Sequence, residues 1–444
     1  MGRAVRGVIA GVYFVALCGC KESTPKSREE RSADALARVE QIVAVVPELR
    51  RLSLDRPIPA LRQSGADFRA RVHQSVAETP HLDHRAIALQ ALGLIESKTD
   101  LARSIENVYV SQAAAYYDPR TKAFSLVMAP QNELVFDSVS AHEITHGLQD
   151  QHFDLTTYLA GTKEAPLNAD EQIARRFISE GDAMFTSIIY VAYTKTNEKE
   201  LTGAQVTAMR RELGKLDALD GPALAAALRQ QMSTAKIVDE EIQRSLDAMP
   251  TIPAAIMEPF LLPYMKGASV VAEAYERGGW TAVNKLYTDP PRSTAQVLHP
   301  REQLFQARHE PRAVFLPKFD AKRIELLESD VLGELMWSIY FRRWKYSGEA
   351  HPEAGWNGDR FEVWRDANGK IVVLISTVWE TSYHAKEFYD AYVSTLDARY
   401  PDQRRGEGEQ VRDRTWIRLV KDRVLIVDGS ATNLLDDLEH PSAR

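Results

Sequence analysis

The segment "SAHEITHGLQD" at residues 140–150 constrains the possible folds of this chain more than any other stretch. It holds two histidines four residues apart, and the surrounding residues 132–151 place apolar side chains at helical spacing. Positions four apart on an α-helix lie one turn above each other on the same face. We therefore predict a helix that presents His142 and His146 side by side, with Glu143 one step around the helix.

Two imidazoles on one helix face can bind the same metal ion. The acid that follows the first histidine can reach a water on that metal and take its proton. The alternative is a solvent-exposed helix face with two incidental histidines. A catalytic metal site usually has three protein ligands and one open position, so the rest of the chain has to supply one more ligand.

Residues 170–190 supply the third candidate ligand on a second predicted helix. Glu180 falls inside the apolar stripe of this helix, where a carboxylate is costly unless it meets a cation or a metal. Gly181 beside it costs about 1 kcal/mol relative to Ala within a helix, which indicates close packing of another backbone. The alternative is burial of Glu180 against Arg175 or Arg176.

Two further acids lie near the candidate ligands. Asp150 is one turn after His146, and Asp182 is two residues after Glu180. Either carboxylate could orient a ligand histidine, or it could face solvent.

The N-terminal segment predicts export. Arg3 and Arg6 precede an apolar run at residues 7–17, which has the length of a signal-peptide core and is too short for a finished membrane span. The run ends in "LCGC", which resembles a bacterial lipobox. We expect residues 1–19 to be a lipoprotein signal peptide and Cys20 to carry the lipid. The alternative is an uncleaved apolar N-terminus.

Composition agrees with this prediction. The two cysteines of the chain are Cys18 and Cys20, so the processed protein would have no disulfide. Residues 20–33 are charged and almost free of apolar side chains, as expected of a flexible tether. The net charge of −7 provides no basic surface for nucleic acid. We expect a protein held at the membrane surface by its N-terminal lipid, with no nucleic-acid partner.

The remaining pattern predicts an α+β fold. Two helices are expected at residues 34–46, ending before Pro47, and at residues 83–102. Extended runs within residues 108–129 flank the turn sequence "YDPRTK" and predict a β-hairpin, for which a purely structural role is the alternative to a functional one. Residues 202–249 are helical in pattern, charged and without a motif, and we interpret them as a helical insertion.

The C-terminal residues 346–444 predict a separate, small α+β unit. Strands at residues 360–366 and 371–379 are joined by the turn sequence "ANGK", and a helix follows at residues 382–400. A closing hairpin is expected within residues 415–429. This unit could pack on the preceding region or bind a partner by itself, and the sequence leaves both open.

The motifs also show a family resemblance. "HEITH" followed by "SEGDA" resembles the gluzincin metallopeptidases, whose zinc ligands are two histidines and a glutamate on the next helix. The wider set "YYDPRTKAF", "AHEITHGLQDQHFDL", "ISEGDA", "STAQVLHP" and "GWNGDRF" resembles a group of bacterial exported proteins described as neutral zinc metallopeptidases. This resemblance extends over roughly residues 85–395.

The resemblance implies both a site and a fold. His142, His146 and Glu180 would bind one Zn²⁺ per chain, and Glu143 would be the general base. The implied fold is a mostly helical, zincin-like catalytic region over residues 34–345, with a small β-hairpin or sheet.

In gluzincins an edge strand ahead of the histidine helix binds substrate in extended form. By resemblance, that edge would be the strand before Tyr117 or the strand after Lys122. Gluzincins also use a Tyr or His donor to stabilise the oxyanion, and this chain matches no established pattern there. His299, in "STAQVLHP", is the first candidate, although it could instead cap a helix or bind a carbonyl. Tyr264 is a weaker candidate, with a structural role in the core as its alternative.

Together these features predict a zinc-dependent peptidase, exported and lipid-anchored in a bacterial cell envelope, that acts on peptides or proteins. By resemblance to the sorting rules of diderm bacteria, Lys21 rather than Asp after the lipid-bearing cysteine would favour the outer membrane. The rival prediction is a non-catalytic, lipid-anchored surface protein that uses a zincin-like scaffold to bind a partner. Glu143 favours the peptidase, because a structural metal site needs no base and is normally closed by a fourth ligand. The oligomeric state and the substrate are left open by the sequence.

Overall fold

A computed structural model of the chain describes residues 28–111, 115–127, 133–217, 247–316, 324–348, 351–366 and 368–429, with the single residues 223 and 226. The described residues form a mixed α+β fold, which confirms the predicted fold class. They divide into two compact units. Unit 1 consists of the described residues within Met1–Glu78, Ala102–Leu167 and Arg175–Pro290, and unit 2 consists of those within Thr79–Leu101, Asn168–Ala174 and Pro291–Arg444.

The helices and strands of the described residues are labelled in chain order. The helices are α1 (Arg28–Arg50), α2 (Gly65–Ala77), α3 (Leu82–Ala91), α4 (Leu101–Ser111), α5 (Glu133–Phe153), α6 (Leu155–Ala160), α7 (Ala169–Thr196), α8 (Gly203–Asp217), α9 (Ala254–Thr288), α10 (Thr294–Leu298), α11 (Gly333–Arg343) and α12 (Ser382–Arg399). The strands are β1 (Ala60–Arg62), β2 (Ala115–Asp118), β3 (Ala123–Leu126), β4 (Ile324–Asp330), β5 (Trp356–Asp366), β6 (Ile371–Trp379), β7 (Gln410–Arg412), β8 (Thr415–Val420) and β9 (Arg423–Asp428).

Helix α1 packs against α5 in unit 1. One face of α1 is almost fully buried, and it consists of Val39, Ile42, Val46 and Leu49. The helix continues through Pro47, where the sequence predicted its end. A proline this close to the C-terminus removes one backbone hydrogen bond, and the burial of Leu49 and Arg50 holds the last turn in place.

The small sheet of unit 1 has the strand order β1–β3–β2. β2 and β3 form the predicted hairpin, with Tyr117 opposite Phe124, and β1 pairs in parallel with the other side of β3. Of the two strands that the resemblance offered as the substrate-binding edge, the strand after Lys122 is therefore central. β2 lies at an edge of this sheet.

The hairpin turn follows from its residues. The Arg120 backbone N–H donates to the Asp118 side chain, and the Lys122 N–H donates to the Asp118 carbonyl. Lys122 adopts the left-handed conformation, with φ of 55°. The first predicted extended run is shorter than expected, because residues 108–111 continue α4 and β2 begins at Ala115.

The single helix predicted at residues 83–102 is instead two helices, α3 and α4. Gly93, two residues past the end of α3, has a φ of 76°, which terminates the helix. The Leu94 N–H donates to the Leu89 carbonyl, and the Trp344 indole donates to the Gly93 carbonyl at 2.9 Å. Gly93, a residue that a helical sequence pattern can contain, is therefore the residue that ends α3.

Helices α7 and α9 cross at two glycines. A Cβ atom at Gly181 would lie 2.1 Å from the carbonyl carbon of Gly267, and one at Gly267 would lie 2.1 Å from the carbonyl oxygen of Phe177. The backbones are in contact, as the glycine in the second predicted helix indicated. This crossing brings Tyr264, one turn before Gly267, close to Glu180, one residue before Gly181.

Helix α8 lies in the predicted insertion and packs on α9. Arg210 of α8 forms ion pairs with Glu273 and Glu276 of α9. α9 is interrupted at Gly279, whose φ of 62° favours glycine. The rest of the predicted insertion, from residue 218 to residue 246, lies outside the described residues apart from 223 and 226.

Unit 2 contains a six-stranded sheet in the order β4–β5–β6–β9–β8–β7, with antiparallel neighbours throughout. The predicted C-terminal strands, helix and hairpin are confirmed as β5, β6, α12 and β8–β9. β4 and β7 were not predicted. Because β4 pairs with β5, the compact unit begins before the predicted boundary at residue 346.

Aromatic side chains fill the core of unit 2. Phe388 of α12 lies 4.8 Å from Trp337 of α11 and 4.5 Å from Trp379 of β6, between ring centres. Tyr340 and Tyr392 stack at 5.3 Å. These rings pack α11 and α12 together over the sheet.

Two motifs of the family resemblance are buried polar anchors in unit 2. Asp359 of "GWNGDRF" accepts hydrogen bonds from two backbone N–H groups and two indoles, those of Leu332, Gly333, Trp337 and Trp356. Thr294 of "STAQVLHP" donates from its N–H and its hydroxyl to Asp170. These contacts give both motifs a structural role.

The predicted signal peptide at residues 1–19, Cys20 and most of the predicted tether at residues 20–33 lie outside the described residues. The end of that tether is helical, since α1 begins at Arg28. In the described part of the chain, no helix combines the length and the apolar character needed to cross a membrane.

Candidate metal centre

His142, His146 and Glu180 converge in unit 1, as the sequence predicted. Helix α5 carries the two histidines and α7 carries the glutamate. The two Nε2 atoms lie 3.1 Å apart, and Oε2 of Glu180 lies 3.3 Å from each of them. The three side chains are only 7, 13 and 12% exposed. Among the described residues, this is the group of histidine, cysteine and acidic side chains whose atoms are placed to hold a metal ion.

The donor atoms of this cluster fit a metal ion. The His146 Nδ1 lies 2.8 Å from the side-chain oxygen of Gln149, which can only accept, so Nδ1 carries the proton. In a neutral ring the His146 Nε2 then directs a lone pair at the other donors. The two Nε2 atoms and Oε2 of Glu180 repel one another at these distances unless a positive charge lies between them. Two imidazole nitrogens and one carboxylate oxygen are the ligand set of many catalytic zinc sites.

The cluster perturbs the ionisation of its own members. Burial alone would raise the pKa of Glu180, but the charge of His146 and hydrogen bonds from both histidines hold that pKa well below its usual range. Burial would lower the pKa of His146, but Glu180 raises it to about 9. A metal ion bound here would have to displace the proton that the raised pKa favours on His146.

Glu143 lies beside the cluster and is held by strand β2. Its Oε2 accepts a hydrogen bond of 2.9 Å from the backbone N–H of Tyr117. Burial raises the pKa of Glu143, against the opposing charges of His142 and His146. A carboxylate with a raised pKa is a better proton acceptor near neutral pH.

Asp150 docks the hairpin on helix α5. Its Oδ2 accepts from the Tyr117 hydroxyl and from the Lys122 ammonium, each at 2.7 Å. The sequence left open whether Asp150 orients a ligand histidine, and its contacts are with the hairpin instead. Asp150 therefore affects the site indirectly. It fixes Tyr117 of β2, and the backbone N–H of Tyr117 holds Glu143.

Gln149 is a site residue that the sequence did not predict. It is fully buried and connects His146 with Asp182, the second acid proposed to orient a histidine. Asp182 is bound in turn by Arg50 and by the Tyr287 hydroxyl. The feature that could have indicated the role of Gln149 is a polar side chain one turn after His146, on a helix whose neighbouring positions are buried.

A cation and a tyrosine form the side of the site nearest α9. Arg176 lies 3.5 Å from Oε1 of Glu180, and its guanidinium covers the ring of Phe260 at 4.5 Å. The ion pair that the sequence offered as an alternative to a metal is therefore present together with the cluster. The Tyr264 ring stacks on His142 at 5.5 Å, and its hydroxyl accepts a hydrogen bond from Arg176.

Tyr264 remains protonated in this setting. Burial is the main reason that its pKa is well above the usual value, and the nearby charge of Glu180 adds to the effect. A neutral hydroxyl that accepts a hydrogen bond from a cation is a strengthened donor. Tyr264 can therefore donate to an oxygen that gains negative charge next to His142.

His299 belongs to unit 2. Its Nε2 lies 2.5 Å from Oε1 of Glu334, a buried carboxylate on α11. His299 follows α10 and occupies its C-terminal cap position, which was one of the alternatives from the sequence. Its role as the oxyanion donor stays a prediction.

Comparison with known proteins adds a match to the C-terminal region. The family described as "Domain of unknown function (DUF8575)" matches residues 322–439, which include β4 to β9. No curated protein and no solved structure matches the chain significantly. The residues of the metal cluster, on α5 and α7, lie outside the matched segment.

Proposed function

We propose that the protein is a zinc-dependent peptidase whose site is the cluster of His142, His146 and Glu180. The observation that supports this most strongly is the placement of Glu143 beside three convergent metal ligands. A zinc ion held there would act as a Lewis acid and would supply an activated water.

The protein's own residues then have defined tasks. Glu143, fixed by the Tyr117 N–H, accepts the proton of the attacking water and returns it to the leaving amine. The Tyr264 hydroxyl donates a hydrogen bond to the carbonyl oxygen of the scissile bond as that oxygen becomes negative. Arg176 holds the second oxygen of Glu180 and so limits the rotation of that carboxylate.

Strand β2 supports the peptide as the class of substrate. Its outer edge, where the Tyr117 N–H points, runs beside Glu143. An extended peptide can pair with such an edge through main-chain hydrogen bonds. Residues at this edge would hold the scissile bond next to the base.

The rival function is a non-catalytic surface protein in which the cluster holds a structural metal. Closed structural sites usually have four protein ligands. The described residues contribute three, with a base beside them. Both features favour catalysis.

Metal analysis of the purified full-length chain, together with its incubation with an unbiased peptide library, tests the proposal. We expect about one zinc per chain and cleavage that stops when a chelator removes the metal. A protein with stoichiometric zinc that cleaves nothing in the library would favour the binding protein instead. A protein without stoichiometric metal would reject the metal site.

A further inference from the structure

We propose that Gln149 and Asp182 form a positioning relay that orients His146 and sets the metal affinity of the cluster. The relay concerns metal binding itself, so it does not depend on peptidase activity. Neither residue touches the reacting atoms, and each acts through His146.

The orientation of the Gln149 amide is fixed by its partners. Its Nε2 donates to the Ser179 carbonyl and to Oδ2 of Asp182, each at 3.0 Å. Both partners can only accept, so the amide nitrogen has to face them. The amide oxygen therefore faces Nδ1 of His146, at 2.8 Å.

This orientation selects one tautomer of His146. A neutral imidazole carries a proton on one nitrogen and a lone pair on the other. With the proton held on Nδ1 by Gln149, the lone pair of Nε2 faces His142 and Glu180. The relay thus prepares the ring for a metal ion and prevents its rotation.

The far end of the relay, Asp182, is anchored by two helices. Arg50 of α1 donates to both oxygens of Asp182, at 2.7 and 3.0 Å, and the Tyr287 hydroxyl of α9 donates at 2.7 Å. The side chains of Arg50 and Asp182 are both 0% exposed. These hydrogen bonds fix the position of the Asp182 carboxyl group, and its Oδ2 orients the Gln149 amide.

A purely structural role would explain the Arg50–Asp182 ion pair but not the glutamine. A buried amide is costly unless all its hydrogen bonds are made, and an apolar side chain would fill the same space more cheaply. Gln149 makes these bonds, and one of them ends on a metal ligand. The residue type at position 149 is therefore explained by its effect on His146.

The test measures the Zn²⁺ affinity of the full-length chain by competition with a chelator. Gln149→Met keeps the size of the side chain and removes its hydrogen bonds, and we expect a ~10–100-fold loss of affinity. Gln151→Met, on the same helix, is the matched control. Gln151 binds the backbone of Asp55 and Arg56, so its substitution should leave the affinity unchanged.

A second variant separates positioning from folding. The double substitution Gln149→Glu with Asp182→Asn moves the negative charge from position 182 to position 149. The new carboxylate can accept the His146 Nδ1 proton and the new amide can donate to that carboxylate, while Arg50 keeps one acceptor at position 182 and the Ser179 carbonyl loses its donor. We expect this variant to recover part of the affinity that Gln149→Met loses. A merely structural role predicts no such recovery.

A spectroscopic measurement decides the tautomer directly. In the Co²⁺-substituted chain, NMR should show a His146 Nδ1 proton that exchanges slowly with solvent, and Gln149→Met should accelerate that exchange. Unchanged Zn²⁺ affinity and unchanged exchange in Gln149→Met would overturn the relay, as would a parent chain that binds neither metal. A parent that binds zinc through the relay but cleaves no peptide would reject the proposed function alone.

Discussion

At the scale of single residues, the proposed chemistry depends on groups whose protonation is set by their neighbours. The pKa of Glu143 is raised because its carboxyl group is desolvated, and the Tyr117 N–H fixes one of its oxygens. Tyr264 stays neutral because its hydroxyl group is desolvated and lies near the charge of Glu180. The raised pKa makes the Glu143 carboxylate a stronger proton acceptor, and the neutral Tyr264 hydroxyl keeps the proton that it donates.

Tyr264→Phe tests the hydroxyl donor. We expect turnover to fall about 100-fold while zinc content stays at the parental value, because the variant loses one hydrogen bond to the developing oxyanion. His299→Ala is the comparison, since the sequence favoured His299 for the same role. Steady-state kinetics and metal analysis of both variants decide between them. A large loss of turnover in His299→Ala with full activity in Tyr264→Phe would reverse the assignment.

His299 should also make stability depend on pH. The hydrogen bond to Glu334 is the main reason that the pKa of His299 is raised, and Glu302 and Glu353 add to it. A histidine with a raised folded-state pKa stabilises the fold fully below its unfolded pKa of about 6.5, and this contribution is lost as pH rises through the folded value. Since the side chain of His299 is 44% exposed, screening keeps the contribution below about 1 kcal/mol.

The measurement is the melting temperature of the parent and of His299→Ala between pH 5.5 and pH 9, taken as approximate bounds around the histidine range. The parent should exceed the variant most at the acidic end, and the difference should shrink as pH rises. A difference that stays constant across this range would show that the pair is not held by a charged histidine.

At the scale of helices and strands, the sequence predicted elements whose periodicity is local. The metal-site helices α5 and α7 and the C-terminal strands β5, β6, β8 and β9 were all predicted, because each shows a regular apolar pattern. The separation of α3 and α4 at Gly93 was missed, because a glycine within a helical pattern does not reveal its φ. Strand β1 is three residues long and pairs with β3, so its own pattern carries little information.

The contact of α7 with α9 is the packing feature that determines the site, and Gly181→Ala tests it. The new methyl group would meet the Gly267 backbone at 2.1 Å, which is more severe than ordinary overpacking. We expect a loss of more than about 3 kcal/mol in stability, seen as a lower melting temperature and weaker metal binding. Gly203→Ala is the matched control, because nothing lies within 4 Å of its added carbon. Equal melting temperatures for the two variants would show that the helices are further apart.

At the scale of the whole molecule, long-range polar contacts position the site, and the sequence could not predict them. Arg50 and Asp182 are 132 residues apart and meet in the interior of unit 1. Tyr264 meets His142 through the crossing of α7 and α9. The local motif predicted the ligands and the base, whereas Gln149, Arg50 and Arg176 became site residues through tertiary contacts.

The lipid anchor is also a property of the whole molecule, and we propose it from the N-terminal sequence. Cys20→Ala should release the protein from the membrane fraction and leave its folded domain unchanged, because the substitution removes the lipid attachment site. Fractionation of cells that express the parent and the variant measures this, with the melting temperature as a control on folding. Equal membrane retention of both would refute the anchor.

The most direct test of the central claim is to compare Glu143→Gln with His142→Ala for zinc content and turnover on the same cleaved peptide. Gln keeps the size of Glu but cannot accept the proton of the attacking water. We predict that Glu143→Gln retains about one zinc per chain and loses turnover by at least ~100-fold, whereas His142→Ala loses both the metal and the activity. Unchanged cleavage by Glu143→Gln, in an assay that a chelator still abolishes, would contradict the proposed mechanism.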